Sequence, residues 1–138
     1  MTHDDVLART NALARQHGVL QIQWYGFAES TLTLAASRDP LYYHSLELRF
    51  HRPVLVRGRT AFDLDPERGI LHACALDGIG GGLLSSEADR PLRGFFLPAD
   101  EGEDLVIVAE SLTIDDTTVY YYRRDPLAPG ERLAPWVK

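Results

Sequence analysis

The chain has 138 residues, 45% hydrophobic and 25% charged, a balance that excludes a disordered chain and fits one globular domain over residues 1–138. Its net charge is −6, and this acidity argues against general nucleic-acid binding, which needs clustered cations to displace counterions from phosphates. A single cysteine, Cys74, excludes an internal disulfide and a zinc cage built from thiolates.

The opening Met-Thr-His-Asp-Asp carries no basic start followed by an apolar run, so no secretory signal is expected. The longest apolar stretch, residues 105–109, falls far short of the roughly 20 residues a membrane helix needs. The expectation is a cytoplasmic protein with no membrane contact. Among 14 basic residues Lys138 is the sole lysine, a preference for Arg that reads as GC-rich codon usage rather than mechanism.

Thr2 with Asp5 three residues later forms a capping-box variant, and Asp4 and Asp5 suit the positive end of a helix. The spacing predicts a helix over about residues 3–17, with Val6, Thr10 and Leu13 as its packed stripe and Gly18 as its stop. The period then becomes two. Leu20, Ile22 and Trp24 share one face of a strand, Ala28-Glu29-Ser30 makes a hairpin connection, and Leu32 and Leu34 alternate with Thr31 and Thr33. Ser37-Arg38-Asp39-Pro40 reads as a turn.

The clearest alternation follows, with His44, Leu46, Leu48 and Phe50 on one face and Ser45, Glu47, Arg49 and His51 on the other. Extended chain continues from Val54 to Leu64, kinked near Pro53 and Gly58, before a strong turn at 65–69. Ile70 to Leu76 is almost wholly apolar and reads as a central strand. Two further strands are expected at Gly94–Leu97 and Leu105–Ile114. After a turn at Asp115-Asp116, Val119–Arg123 should pair back as the last strand.

From Asp125 three prolines exclude a regular helix or a central strand, while Leu127, Leu133, Trp136 and Val137 are too apolar for a free tail. A docked tail over 125–138 is expected, with Trp136 covering part of the core. The whole reads as α+β: the N-terminal helix packs on a strongly curved, mostly antiparallel sheet or partly open barrel of about seven to nine strands, the β-rich body running from about 19 to 124.

The run Gly78-Ile79-Gly80-Gly81-Gly82 follows an apolar segment as a phosphate loop would, but Leu83 breaks the dinucleotide pattern and no Gly-Lys-Ser/Thr follows. A flexible loop is the simpler reading. His72 and Cys74 share a strand face, yet parallel side chains two apart do not meet unaided, so a core thiol beside a satisfied histidine outweighs a nucleophilic pair. His44, His51 and His72, considered with Glu47, Asp63 or Asp65, lack the local spacing of metal ligands. Asp63 and Asp65 share a face and suit a cation or acid–base pair, but their place before the 65–69 turn favours a solvated hairpin end. No metal or cofactor is expected.

Asp100-Glu101-Gly102-Glu103-Asp104 does not match an EF-hand and reads as a charged hairpin tip, or as an acidic knob, Glu101 and Glu103, for a basic partner. Tyr120-Tyr121-Tyr122-Arg123-Arg124, with Tyr42-Tyr43, combines the residue types concentrated in binding hot spots; the simpler account is two aromatic pairs bracing neighbouring strands. No compact catalytic signature is found.

The leading expectation is a non-enzymatic protein-binding module, in one form an immunity or antitoxin-like factor, that engages another protein or its own copy through Tyr120, Tyr122, Arg123, Glu101 and Glu103. The alternative is a small-ligand barrel, or a modest hydrolase or isomerase, using His44, His72, Cys74, Asp63 or Asp65 in a sheet pocket. In that case His44, placed beside Leu46 and Leu48, is the first residue to suspect.

Overall fold

Helix α1 spans His3–His17 and begins where its caps dictate. Thr2 Oγ1 accepts the Asp5 backbone N–H at 3.2 Å, and the Asp5 carboxylate accepts the Thr2 N–H at 2.9 Å. Gly18 ends it at φ 65°, a left-handed conformation that costs glycine little, with its N–H returned to the last helical turn. Thr10 and Ala14 are its buried residues. Thr10 tolerates burial because its hydroxyl donates to Val6 O at 2.7 Å.

The computed structural model describes residues 2–76 and 92–137. The glycine run at 78–82 lies outside the described residues. Twelve strands follow α1 among the described residues: β1 Gln21–Ala28, β2 Thr31–Ser37, β3 Tyr43–His44, β4 Leu46–His51, β5 Leu55–Arg57, β6 Ala61–Asp63, β7 His72–Cys74, β8 Arg93–Leu97, β9 Leu105–Ala109, β10 Ser111–Asp115, β11 Thr118–Tyr120 and β12 Glu131–Leu133. They form three sheets, ordered β10-β4-β2-β1-β6, β5-β9-β8-β7 and β12-β11-β3. None closes on itself. The α+β reading with an open, antiparallel-rich architecture is therefore the observed one.

The strands outnumber the expectation because long extended stretches turn corners between sheets. Leu105–Ile114 is two strands, β9 and β10, separated at Glu110. The antiparallel pair β4–β10 passes into the pair β5–β9 at that corner, where Arg52 takes φ 51° and Glu110 N donates to His51 O at 3.0 Å. Val54–Leu64 likewise splits into β5 and β6 around Gly58, at φ 143°, where a Cβ would come within 2.9 Å of Leu105 Cα. Only glycine fits that approach.

Between the two larger sheets lies the core, including Ile22, Leu32, Leu34, Leu48, Phe50, Phe95, Leu97 and Ile107, with Ala14 of α1 and the half-buried Val6, Leu7 and Leu13 packed against it. Asn11, the only asparagine in the sequence, ties the helix to the following body. Its Oδ1 accepts from Ile70 N at 2.8 Å and Leu71 N at 3.1 Å, and its Nδ2 donates to Leu71 O at 2.8 Å.

Three further expectations are corrected. Ile70–Leu76 is not a central strand: only His72–Cys74 pairs, and β7 is the sheet edge, because Ile70 and Leu71 face Asn11 instead of a ladder. Val119–Arg123 does not pair back on β10; β11 ends at Tyr120 and pairs antiparallel with β3. The tail contains one short strand, β12, which lies parallel to β11 at an edge, where prolines outside residues 131–133 do no harm. Among the described residues no helix is long and apolar enough to cross a membrane.

Candidate functional site

The small sheet β12-β11-β3 divides its chemistry between two faces. Where β11 ends at Tyr120, the Tyr121 hydroxyl reaches His44 inside the protein, while Tyr120 and Tyr122 line the opposite side.

On the inward side, His44 is fully buried between two partners. Its Nε2 meets Glu47 Oε2 at 2.7 Å and its Nδ1 meets the Tyr121 hydroxyl at 2.5 Å. In unbroken alternation His44 and Glu47 would face opposite ways. The ladder is interrupted at Ser45, between β3 and β4, and this extra residue turns His44 away from Leu46 and onto the Glu47 face. The expectation that His44 sits beside Leu46 and Leu48 is thereby corrected.

Glu47 is 2% exposed, yet Arg49 Nη2 at 2.7 Å and Arg132 Nη2 at 2.5 Å both reach its carboxylate. Both guanidiniums also contact Asp115 Oδ2, at 2.8 and 3.6 Å. Burial alone pushes the Glu47 carboxyl up; bonds from His44 and Arg49 and the charge of Arg132 outweigh it and hold the group at about 2. An ionised carboxylate only accepts, so His44 Nε2 donates to Glu47, while His44 Nδ1 shares its hydrogen bond with the Tyr121 hydroxyl. Burial pushes the Tyr121 hydroxyl up to about 12, partly opposed by the Gln23 amide, which donates to it at 3.5 Å.

The tail roofs this cluster. Trp136 packs on Tyr121 and Tyr25 with ring centroids 5.5 and 5.9 Å apart, and Tyr25 stands edge-on to His44 at 4.7 Å. Trp136 is expected over the core; it covers the polar cluster instead and stays 58% exposed. The Tyr25 hydroxyl is buried with no hydrogen-bond partner among the described residues.

On the outward side lies an open groove of about 730 Å³, lined by His17, Tyr42, Tyr43, Ser45, Thr118, Tyr120, Tyr122 and Arg124. The aromatic pairs brace neighbouring strands, Tyr43 with Tyr120 at 6.2 Å and Tyr42 with Tyr122 at 6.3 Å edge-on, while Tyr120 and Tyr122 meet at 5.6 Å. Tyr120 is largely buried and its hydroxyl donates to Glu131 Oε2 at 2.6 Å. Arg124 lies over the Tyr120 ring at 4.6 Å and donates to the Tyr122 hydroxyl at 3.3 Å. Arg123 is exposed beside it.

The remaining sequence candidates do not converge. His72 Nε2 lies 2.6 Å from Arg68 O and the ring stacks on Phe96 at 4.9 Å, so its ring nitrogen serves the backbone rather than Cys74. Cys74 is half-buried on the edge strand β7 rather than a core thiol, and its partial burial raises the thiol and disfavours the thiolate. Asp63 is exposed on β6, and Asp65 Oδ1 caps the following turn by accepting Glu67 N at 3.0 Å. His51 is bonded to Thr31 and Thr113. Glu101 and Glu103 are exposed on the loop joining β8 and β9, where Arg59 donates to Glu101 O. Among the described residues no group of three His, Cys, Asp or Glu side chains is placed to hold a metal ion.

Sequence reasoning singled out His44, Tyr120 and Tyr122 and weighed Glu47 only as a metal ligand, but missed Arg49, Asp115 and Arg132. The one signal for Glu47 and Arg49 was a charged residue at every second position of β4, which also describes an ordinary solvent face. Comparison of the chain with family models, curated proteins and solved structures finds no match.

Proposed function

We propose that this chain is a protein-binding module whose tyrosine–arginine groove receives an extended segment of a partner protein. One observation carries the reading: Tyr42, Tyr43, Tyr120, Tyr122 and Arg124 line a single open groove. Tyrosine offers wide, stiff contact area with a polar end at little cost in conformational entropy, and with arginine it dominates binding hot spots. Tyr42 and Tyr122 are 55% and 43% exposed, so their ring area is accessible before any partner arrives.

The buried cluster supports a non-enzymatic reading from the other side. Both His44 nitrogens already have partners within the protein, and the Glu47 carboxylate is shared among three side chains. A general base needs a free lone pair within reach of a substrate proton, and this imidazole has none to offer.

The test is a capture experiment run as a pair. Tagged wild-type protein and a Tyr42→Ala/Tyr122→Ala variant are passed through lysate of the native organism, with light scattering on both to count copies. A stoichiometric protein that wild type retains and the variant releases fits the groove reading. Partners held equally by both proteins, or none, would sink it. A concentration-dependent dimer abolished in the variant makes the partner a second copy.

A further inference from the structure

The groove is charged against the grain of the molecule. The chain has 20 acidic residues and a net charge of −6, yet none of the eight residues lining this groove is an acid. Its one permanent charge is the Arg124 guanidinium, which has no ion pair among the described residues and donates only to the Tyr122 hydroxyl.

Of the acids near this site, Asp116 and Glu131 are bonded within the chain, and the charge of Glu131 also reaches Arg124 from beyond ion-pair distance. Asp116 Oδ1 is 2.7 Å from His17 Nε2. Glu131 accepts from the Tyr120 hydroxyl at 2.6 Å and from Ala128 N at 2.8 Å. Asp125 follows Arg124 in the chain and is exposed.

A second observation points to a ligand that accepts hydrogen bonds. Ser45 lines the same groove and is 4% exposed, and its buried hydroxyl has no hydrogen-bond partner among the described residues. A buried hydroxyl left unpaired is costly, a cost that an incoming acceptor removes. Ser45 is also the residue between β3 and β4 at which the ladder breaks.

Resting on the reading of the groove as a partner site, we propose that the segment it receives is acidic: a side-chain carboxylate pairs with Arg124 and accepts from Ser45, and a neighbouring aromatic side chain packs among Tyr42, Tyr43 and Tyr122. The guanidinium fork matches a carboxylate in shape and number of donors, and its place over the Tyr120 ring fixes that fork before binding. Long-range repulsion between two acidic proteins does not forbid this, since it fades over a Debye length of about 8 Å at physiological salt.

The test uses a random dodecapeptide library displayed on phage, selected on the full chain and counter-selected on Tyr42→Ala/Tyr122→Ala. The tightest groove-dependent peptide is then synthesised with its acids intact and with each replaced by the matching amide. The expected result is enrichment of Asp or Glu beside an aromatic residue. The acidic form should bind wild type about tenfold or more tighter than the amide form, a preference that falls to about twofold or less in Arg124→Gln. Ser45→Ala should weaken the acidic form alone, and the folding of each variant is checked by its thermal midpoint.

Groove-dependent peptides lacking acids, or a preference that survives in Arg124→Gln, would overturn the carboxylate proposal and leave the groove as a binding site. No groove-dependent peptide at all would overturn both readings. If 3-phenylpropionate alone binds as tightly as the best peptide, the site takes a small carboxylate and the protein-segment proposal fails.

Discussion

The two faces of the β3–β11 pair use the same residue types to opposite ends. Inside, a tyrosine, a histidine and arginines surround Glu47, and nearly every polar atom has a partner within the chain. Outside, tyrosines and an arginine line a groove in which, among the described residues, Arg124 has no ion pair and the buried Ser45 hydroxyl has no partner. A satisfied buried network rigidifies what it joins, here the tail to the body; exposed tyrosine rings and a guanidinium without a close carboxylate are available for binding. The difference lies in what covers each face, since the tail with Arg132 and Trp136 closes one and leaves the other open.

Removing the centre of the inner network should produce the largest effect. Glu47→Gln leaves two guanidiniums facing a neutral amide and should destabilise the protein by about 3–5 kcal/mol, read as a lower urea midpoint. If the loss is below about 1 kcal/mol, the network is peripheral to stability and the contrast between the faces collapses.

Acid should attack the same point more gradually. The Glu47 carboxyl titrates near 2 in the folded protein against 4.5 when unfolded, so its folded pKa is depressed. Its stabilisation is therefore complete above about pH 4.5 and disappears as pH falls toward 2, a loss of about 2–3 kcal/mol. Urea midpoints measured across this window should fall more steeply for wild type than for Glu47→Gln. Parallel curves would assign acid sensitivity to other carboxylates.

Tyr121→Phe removes the hydroxyl that bonds His44 Nδ1 and should cost about 1–2 kcal/mol, the penalty of one buried ring nitrogen left unpaired. The same change in the next residue, Tyr122→Phe, removes only a hydroxyl exposed at the groove and should stay within about 0.5 kcal/mol. This neighbouring pair sharpens the comparison most directly, because equal costs would mean that the alternation of faces does not govern stability.

Trp136→Ala should act locally, since that residue is 58% exposed and its ring contacts are Tyr121 and Tyr25. Its expected signature is local: faster amide exchange in Glu131–Leu133, with exchange in β4 unchanged. Acceleration in β4 as well would show that the tail and the central strand open as one unit.

Local features were legible because local physics decides them. The capping box at Thr2 and Asp5 and the glycine stop at Gly18 placed both ends of α1. The connection at Glu29-Ser30 was readable as the break between two alternating runs, and there both residues hold positive φ between directly paired strands. What the pattern of alternation could not reveal was where a strand changes sheet. Gly58 was visible as a kink, but the corner at Glu110 carries no glycine or proline and depends on how β4 and β10 turn together.

The candidate site divides along the same line. The tyrosine–arginine run was conspicuous in the sequence, and its pairing with Tyr42 and Tyr43 was an expected brace that the ring contacts realise. Glu47 and Arg49 read as a solvent face because nothing in β4 itself announces a cover. Their partner Arg132 is 85 positions from Glu47, in a segment whose prolines spoke only against regular structure.

The sequence by itself determined the helix and its caps, the β-rich body, the docked character of the tail and the Tyr–Arg surface, since each follows from propensity, periodicity or composition within a few residues. Only the tertiary structure decided which polar face became an interior. That outcome depends on an interruption of the ladder at Ser45 and on a tail returning as a parallel edge strand. Burial of a charge is set by groups brought together from distant parts of the chain, so it is a property of the packing and not of any one segment.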